Sequence, residues 1–286
     1  MKKRVLLGIA WGFMILFLVS CHSEKTAKSN RQTIRISQTK KDKKVTKNKI
    51  ATVKNKKTQA KPWKYYQQPI KIPILMYHSI SSGNSLRVPP AQFAAEIVAL
   101  KQAGYYSLSA TEAVKAFTTN SLPQAKCVWI TLDDGYSDNY SAAFPILKKY
   151  HYKATINYIT GFEQRNGYLT VEQMKQMRAT GLISFASHTV DHLDLNELPA
   201  KQQWQELDNA KQTLDSQLNQ NTQVIAYPAG RYDQQTLQLV KKCNYQLGLT
   251  THPGLAQKSQ GFYSLDRVRI TPGLSTEQFL FLVKNG

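Results

Sequence analysis

Two short stretches hold residue types that could do chemistry together. In Thr131-Leu132-Asp133-Asp134-Gly135, adjacent carboxylates close an apolar run. Side chains alternate along a strand, so one carboxylate can hold a metal while the other faces a substrate. Gly135 allows a sharp exit turn. In His188-Thr189-Val190-Asp191-His192, the two histidines stand four residues apart. Within one helical turn such a pair shares a face and can share a metal. Two histidines and one carboxylate form a divalent-metal set that leaves coordination positions open. Asp134 can supply that carboxylate, and nothing local excludes Asp191 or Asp194 as ligand or as a ligand's partner. Zn²⁺ is expected from N and O donors, and Ni²⁺, Co²⁺ and Fe²⁺ suit the same donors.

A metal held this way polarises a carbonyl and lowers the pKa of bound water from 15.7 to roughly 7. Asp133 is then the base for that water. The resulting oxyanion needs a donor, and Tyr227-Pro228-Ala229-Gly230 offers the N–H groups of Ala229 and Gly230. An amine leaving group needs an acid, for which histidine suits neutral pH. The candidates are His78 and His252.

These residues need elements that gather them. From about residue 65, short β-rich apolar runs alternate with helical patterns. Strands are predicted at 72–77, 105–108, 127–132, 154–159, 182–186, 224–227, 247–250 and 265–270. Helices are predicted at 91–103, 111–117, 140–150, 171–180, 200–218, 234–242 and 276–283. This alternation predicts an α/β fold with a parallel sheet. Over about 220 residues it closes most economically as a (β/α) barrel. His78, Asp133-Asp134, His188, Pro228 and His252 then all fall at C-terminal strand ends, the face on which barrel enzymes build their sites.

The formal charge of +20 is uneven. Residues 1–64 hold 18 Lys and Arg against Glu24 and Asp42, leaving +4 for residues 65–286. A nucleic-acid-binding domain carries its charge on the folded face, so nucleic acid is not expected as a partner. A monomer is. Lys2-Lys3-Arg4 precede an uncharged run from Val5 to Ser20. That run is short for a spanning helix of ~20 residues and suits an export signal. Leu18-Val19-Ser20-Cys21 resembles a bacterial lipobox, making Cys21 the expected lipidation site. An uncleaved membrane anchor and plain secretion are the alternatives, and all three place the domain outside the cytoplasmic membrane. Residues 22–64 are expected to be a solvated, disordered linker whose lysines can also meet anionic wall polymers or lipid headgroups. Residues 65–286 form the domain. Cys127 and Cys243 lack metal or redox spacing and are expected as buried apolar residues.

The motifs together resemble the NodB-type polysaccharide deacetylases of carbohydrate esterase family 4. Thr131-Leu132-Asp133-Asp134-Gly135 is similar to their first motif and His188–His192 to their second. Tyr227-Pro228-Ala229-Gly230 is similar to the third, with Ala229 where an aromatic is common. Pro73-Ile74-Leu75-Met76-Tyr77-His78 resembles the opening strand of the biofilm group (IcaB and PgaB), which acts on poly-β-1,6-N-acetylglucosamine. The resemblance implies a distorted, NodB-like barrel of seven or eight strands, circularly permuted. It implies Asp133 as base, Asp134, His188 and His192 as metal ligands, His78 as acid, and a 227–230 backbone that holds the oxyanion. The implied reaction removes N-acetyl groups from a β-linked N-acetylglucosamine polymer. A peptidoglycan or chitin-type substrate is one alternative. A non-catalytic polysaccharide-binding module is another, against which the intact set of four argues. Tyr136, Asp191, Arg231, His252, Arg267 and Arg269 are further candidates for touching sugar or supporting the reacting groups.

Overall fold

Apolar runs that end on polar pairs become the strands of one parallel sheet in the computed structural model, which describes residues 62–286. The export segment, Cys21 and residues 22–61 of the linker lie outside the described residues. The strands are β1 (Ile74–Tyr77), β2 (Cys127–Leu132), β3 (Ala154–Tyr158), β4 (Ile183–Ser187), β5 (Val224–Ala226), β6 (Leu247–Pro253) and β7 (Leu265–Arg269). β1 pairs with β7 on one side and β2 on the other, which closes a seven-stranded barrel. The helices are α1 (Pro90–Gln102), α2 (Ala110–Thr119), α3 (Phe144–Tyr150), α4 (Val171–Ala179), α5 (Ala200–Leu218), α6 (Gln234–Lys242) and α7 (Thr276–Asn285).

The strand expected at 105–108 does not enter the ring. It shrinks to Tyr106–Ser107 and pairs with Cys127 and Val128 at the foot of β2. β1 takes the rest of that edge, with Ile74 to Tyr77 opposite Trp129 to Leu132. The run expected at 72–77 divides at Pro73, which has no N–H to give a ladder. Lys71–Ile72 pairs antiparallel with Ala256–Gln257 instead. The linker also ends sooner than expected. Lys64–Tyr65 pairs with Ser121–Leu122, and half-buried Trp63 lies under the Lys115 ammonium at 4.3 Å.

Two apolar clusters follow from strand alternation. Ile74, Trp129, Ala226, Leu249 and Leu265 fill the barrel interior, and Ala113, Ala116 and Phe117 of α2 pack into the same cluster. Leu75, Tyr77, Val128, Ile130 and Leu132 face outward onto α1, α3 and α7. Each large apolar side chain so buried contributes about 1.5–3 kcal/mol. The start of α2 is fixed by a capping box, in which Ser109 Oγ accepts from Glu112 N and Glu112 Oε2 accepts from Ser109 N. Cys127 and Cys243 are buried and free. Among the described residues no helix is long and apolar enough to cross a membrane.

Candidate active site

The pairing register brings the ends of β1 to β4 out together. Tyr77 lies opposite Leu132, and Asp133 N–H donates to the Tyr77 carbonyl at 2.8 Å. Tyr158 lies opposite Ser187, and His188 N–H donates to the Tyr158 carbonyl. His78, Asp133, Asp134 and His188 therefore emerge on one rim. They line a cavity of about 220 Å³ with His192, Tyr227, Ala229, Arg269, Leu86 and Thr251.

Asp133 continues the β2 alternation and turns into the barrel. There Arg267 grips it with both arms, Nη1 to Oδ1 and Nη2 to Oδ2, each at 2.8 Å. Asn157 Nδ2 donates to Oδ1 at 2.6 Å. Burial raises the pKa of Asp133, but the Arg267 charge and its hydrogen bonds outweigh it and hold the carboxyl well below its usual range. His78 Nε2 stands 3.9 Å from Asp133 Oδ2. Burial, over the opposing pull of both aspartates, keeps that imidazole below its ordinary value.

Asp134 is turned away from its neighbour by a left-handed backbone (φ 72°), and Gly135 continues the turn at φ 80°. A Cβ on Gly135 would collide with the Tyr158 ring, so the position requires glycine. The Asp134 Oδ1 atom lies 3.4 Å from His188 Nε2 and 3.6 Å from His192 Nε2. That oxygen is buried and has no hydrogen-bond partner. His188 Nδ1 bonds the Ala226 carbonyl at 2.7 Å. A carbonyl only accepts, so Nδ1 carries the proton and Nε2 presents its lone pair. A buried orphan carboxylate oxygen facing two imidazole nitrogens fits a divalent cation.

The histidine pair is not on a helical turn, as the spacing predicts. Residues 188–192 form a loop with left-handed φ at Thr189 (66°) and His192 (59°). The loop folds back so that the rings lie 4.8 Å apart. The donor set beyond β5 is also narrower than expected. Gly230 N–H is spent on the Tyr227 carbonyl at 2.9 Å, because residues 228–230 form one tight turn. Among the described residues the Ala229 N–H has no acceptor, and Ala229 lines the cavity. The tight turn puts Gly230 where a Cβ would collide with Thr251 Oγ1.

Other candidates separate clearly. Arg269 lines the cavity and Arg267 sits behind it. Tyr136 stacks on Tyr168 at 5.3 Å, and burial with the Asp134 charge pushes its hydroxyl up. Arg231 is drawn away by Asp194 at 2.8 Å. His252 is mostly exposed and lies 4.0 Å from Asp266, outside the cavity lining. Asp191 is outside the three-ligand group, its Oδ1 facing Gly161. Asn157 and Glu206 carry no sequence motif. Their one signal is polarity at positions that strand and helix periodicity assigns to the interior.

The family pattern of the polysaccharide deacetylases matches residues 121–248. The Bacillus subtilis (strain 168) protein named "Putative polysaccharide deacetylase YxkH" is 44% identical over 97% of this chain and 97% of its own. The chain belongs to the polysaccharide deacetylase family. The solved Streptococcus pyogenes deacetylase PplD, in complex with acetate, is 45% identical to this deacetylase, with a TM-score of 0.73 over 76% of this chain and 99% of that one. A Staphylococcus epidermidis (strain ATCC 35984) poly-β-1,6-N-acetyl-D-glucosamine N-deacetylase is 28% identical over 81% of this chain and 84% of its own. The seven-stranded parallel barrel of this deacetylase is the NodB-like fold of the family.

Proposed function

We propose that this deacetylase hydrolyses N-acetyl groups of a β-linked N-acetylglucosamine polysaccharide, poly-β-1,6-N-acetylglucosamine, in a metal-dependent reaction outside the cytoplasmic membrane. One observation carries the reading: the orphan Asp134 oxygen faces both histidine Nε2 atoms beside an aspartate locked by Arg267. Asp134, His188 and His192 would hold the metal. When bound, a divalent cation polarises the acetamide carbonyl and acidifies a water.

The chain's own residues account for the rest. Asp133 accepts the proton of the attacking water. Arg267 keeps the carboxyl ionised, so it is free to accept that proton. Arg267 and Asn157 fix its plane and leave it no rotation. The Ala229 N–H meets the oxyanion of the tetrahedral intermediate. His78 gives its proton to the departing amine as the C–N bond breaks, releasing acetate and leaving a free amino group on the polymer's sugar unit. His78 lines the same cavity, with Nε2 3.9 Å from Asp133 Oδ2. The β-1,6 linkage rests on the Staphylococcus epidermidis relative. Placement outside the membrane rests on the apolar run 5–20 and Cys21, and the +16 segment supports contact with anionic wall polymers.

Acetate release from matched β-1,6- and β-1,4-linked N-acetylglucosamine oligomers tests the substrate. The β-1,6 series is expected to turn over faster. A faster β-1,4 series would replace that polymer with a chitin- or peptidoglycan-type one. The ligand set is tested by His188→Ala, which should come out of dialysis without stoichiometric Zn²⁺. A variant that keeps its zinc would overturn the set.

A further inference from the structure

The loop that carries both histidines makes little use of backbone acceptors. His188 N–H reaches the Tyr158 carbonyl, but the next four N–H groups all go to side chains. Thr189 donates to Ser187 Oγ at 3.3 Å, and His192 donates to Thr189 Oγ1 at 3.1 Å. Val190 and Asp191 both donate to one atom, Glu206 Oε2, each at 2.9 Å. On the opposite side the loop's carbonyls accept from Thr160 and Gly161.

The loop is also strained. Thr189 is β-branched and sits at φ 66°, a region such residues rarely occupy. A strained segment persists only where its surroundings over-determine it. Glu206 lies on the buried stripe of α5, with Gln203, Leu207, Ala210 and Leu214. A carboxylate on that stripe breaks the apolar pattern, and its charge strengthens both bonds it accepts. Val190 and Asp191 lie between the two ligands, so this one oxygen sets how far His192 stands from His188.

We propose that Glu206 is a positioning residue for the metal site, holding the 188–192 loop in its strained form through two charge-assisted bonds. The inference rests on the metal-ligand reading above. Glu206 bonds neither ligand ring and acts through the loop backbone.

The test is Zn²⁺ titration calorimetry on the metal-stripped full-length chain, with the absorption spectrum of the Co²⁺ form as a second readout. Removing a ligand's supporting partner weakens metal binding about 10–100-fold, and that loss is expected for Glu206→Ala. Glu206→Asp keeps the charge but withdraws it by one methylene, so it should weaken binding and shift the Co²⁺ spectrum. Glu206→Gln keeps an acceptor in place and gives up only the charge, so it should bind more weakly than wild type but more tightly than Glu206→Asp. Rescue by glutamine distinguishes positioning from a general loss of folding. If Glu206→Ala does not fold, the Asp and Gln variants decide the matter. Wild-type affinity in both Ala and Asp, or a Gln variant weaker than the Asp variant, would overturn the inference. His188→Ala is the control. If it loses zinc while Glu206→Ala and Glu206→Asp do not, the ligand set stands and the role of Glu206 falls. If all three keep zinc, the ligand set itself falls.

Discussion

Replacing Asp133 with asparagine is expected to lower kcat for acetate release by about 10²–10⁴-fold, the usual worth of a positioned acid or base. Asparagine has nearly the same shape, so the cavity keeps its form, although Arg267 loses its charge partner and the variant should also unfold more easily than wild type. Its amide oxygen can still accept from Arg267 or Asn157, but its NH₂ group cannot take a proton from water. Asp134 Oδ1, His188 and His192 are untouched, so zinc stoichiometry should stay at the wild-type value. Rates and bound zinc measured on the same preparation check both halves. A variant within about threefold of wild-type kcat would remove Asp133 from proton transfer. A variant that loses its zinc would mean that the two carboxylates are not divided as the geometry divides them.

The second large effect is on stability. Arg267 is fully buried and makes four bonds, to Asp133 Oδ1 and Oδ2, Thr131 Oγ1 and the Thr250 carbonyl. Removing one partner of a buried ion pair strands the other charge and costs about 3–5 kcal/mol. Total stabilities are only about 5–15 kcal/mol, so Arg267→Met should lose a large share in urea unfolding. Arg267→Lys should be nearly as damaging, because an ammonium cannot form the two-armed grip. The double variant Asp133→Leu with Arg267→Met tests the cause. Replacing both charges with apolar groups is often neutral, so it should recover much of the stability while staying inactive. Losses that simply add would show that the ion pair is not the source of the effect.

Much of this site is legible in the amino-acid sequence. The Asp-Asp-Gly turn and the spaced histidines each sit within a few residues, and apolar alternation places both at strand ends. What is not legible depends on long reach or on backbone angles. Arg267 is a candidate in the sequence, but its choice over Arg269 as the partner of Asp133, 134 positions away, comes from ring closure that no local pattern encodes. The histidine loop takes left-handed φ at a threonine and a histidine, residues that give no glycine-like warning. Gly230 reads as a free donor because a motif names residues and not the bonds already spent. The eighth strand fails by competition, since β1 holds the edge that 105–108 needs. Glu206 stays hidden because a lone acid in a polar-rich helix is usually a solvated face.

The central claim is that Asp134, His188 and His192 hold a metal on which N-acetyl hydrolysis depends. The most direct measurement is acetate released from N-acetylglucosamine oligomers by the full-length chain, before chelation, after chelation, and after Zn²⁺ is restored. The predicted result is release that disappears on chelation and returns with stoichiometric zinc. Undiminished release from the metal-free chain would contradict the account.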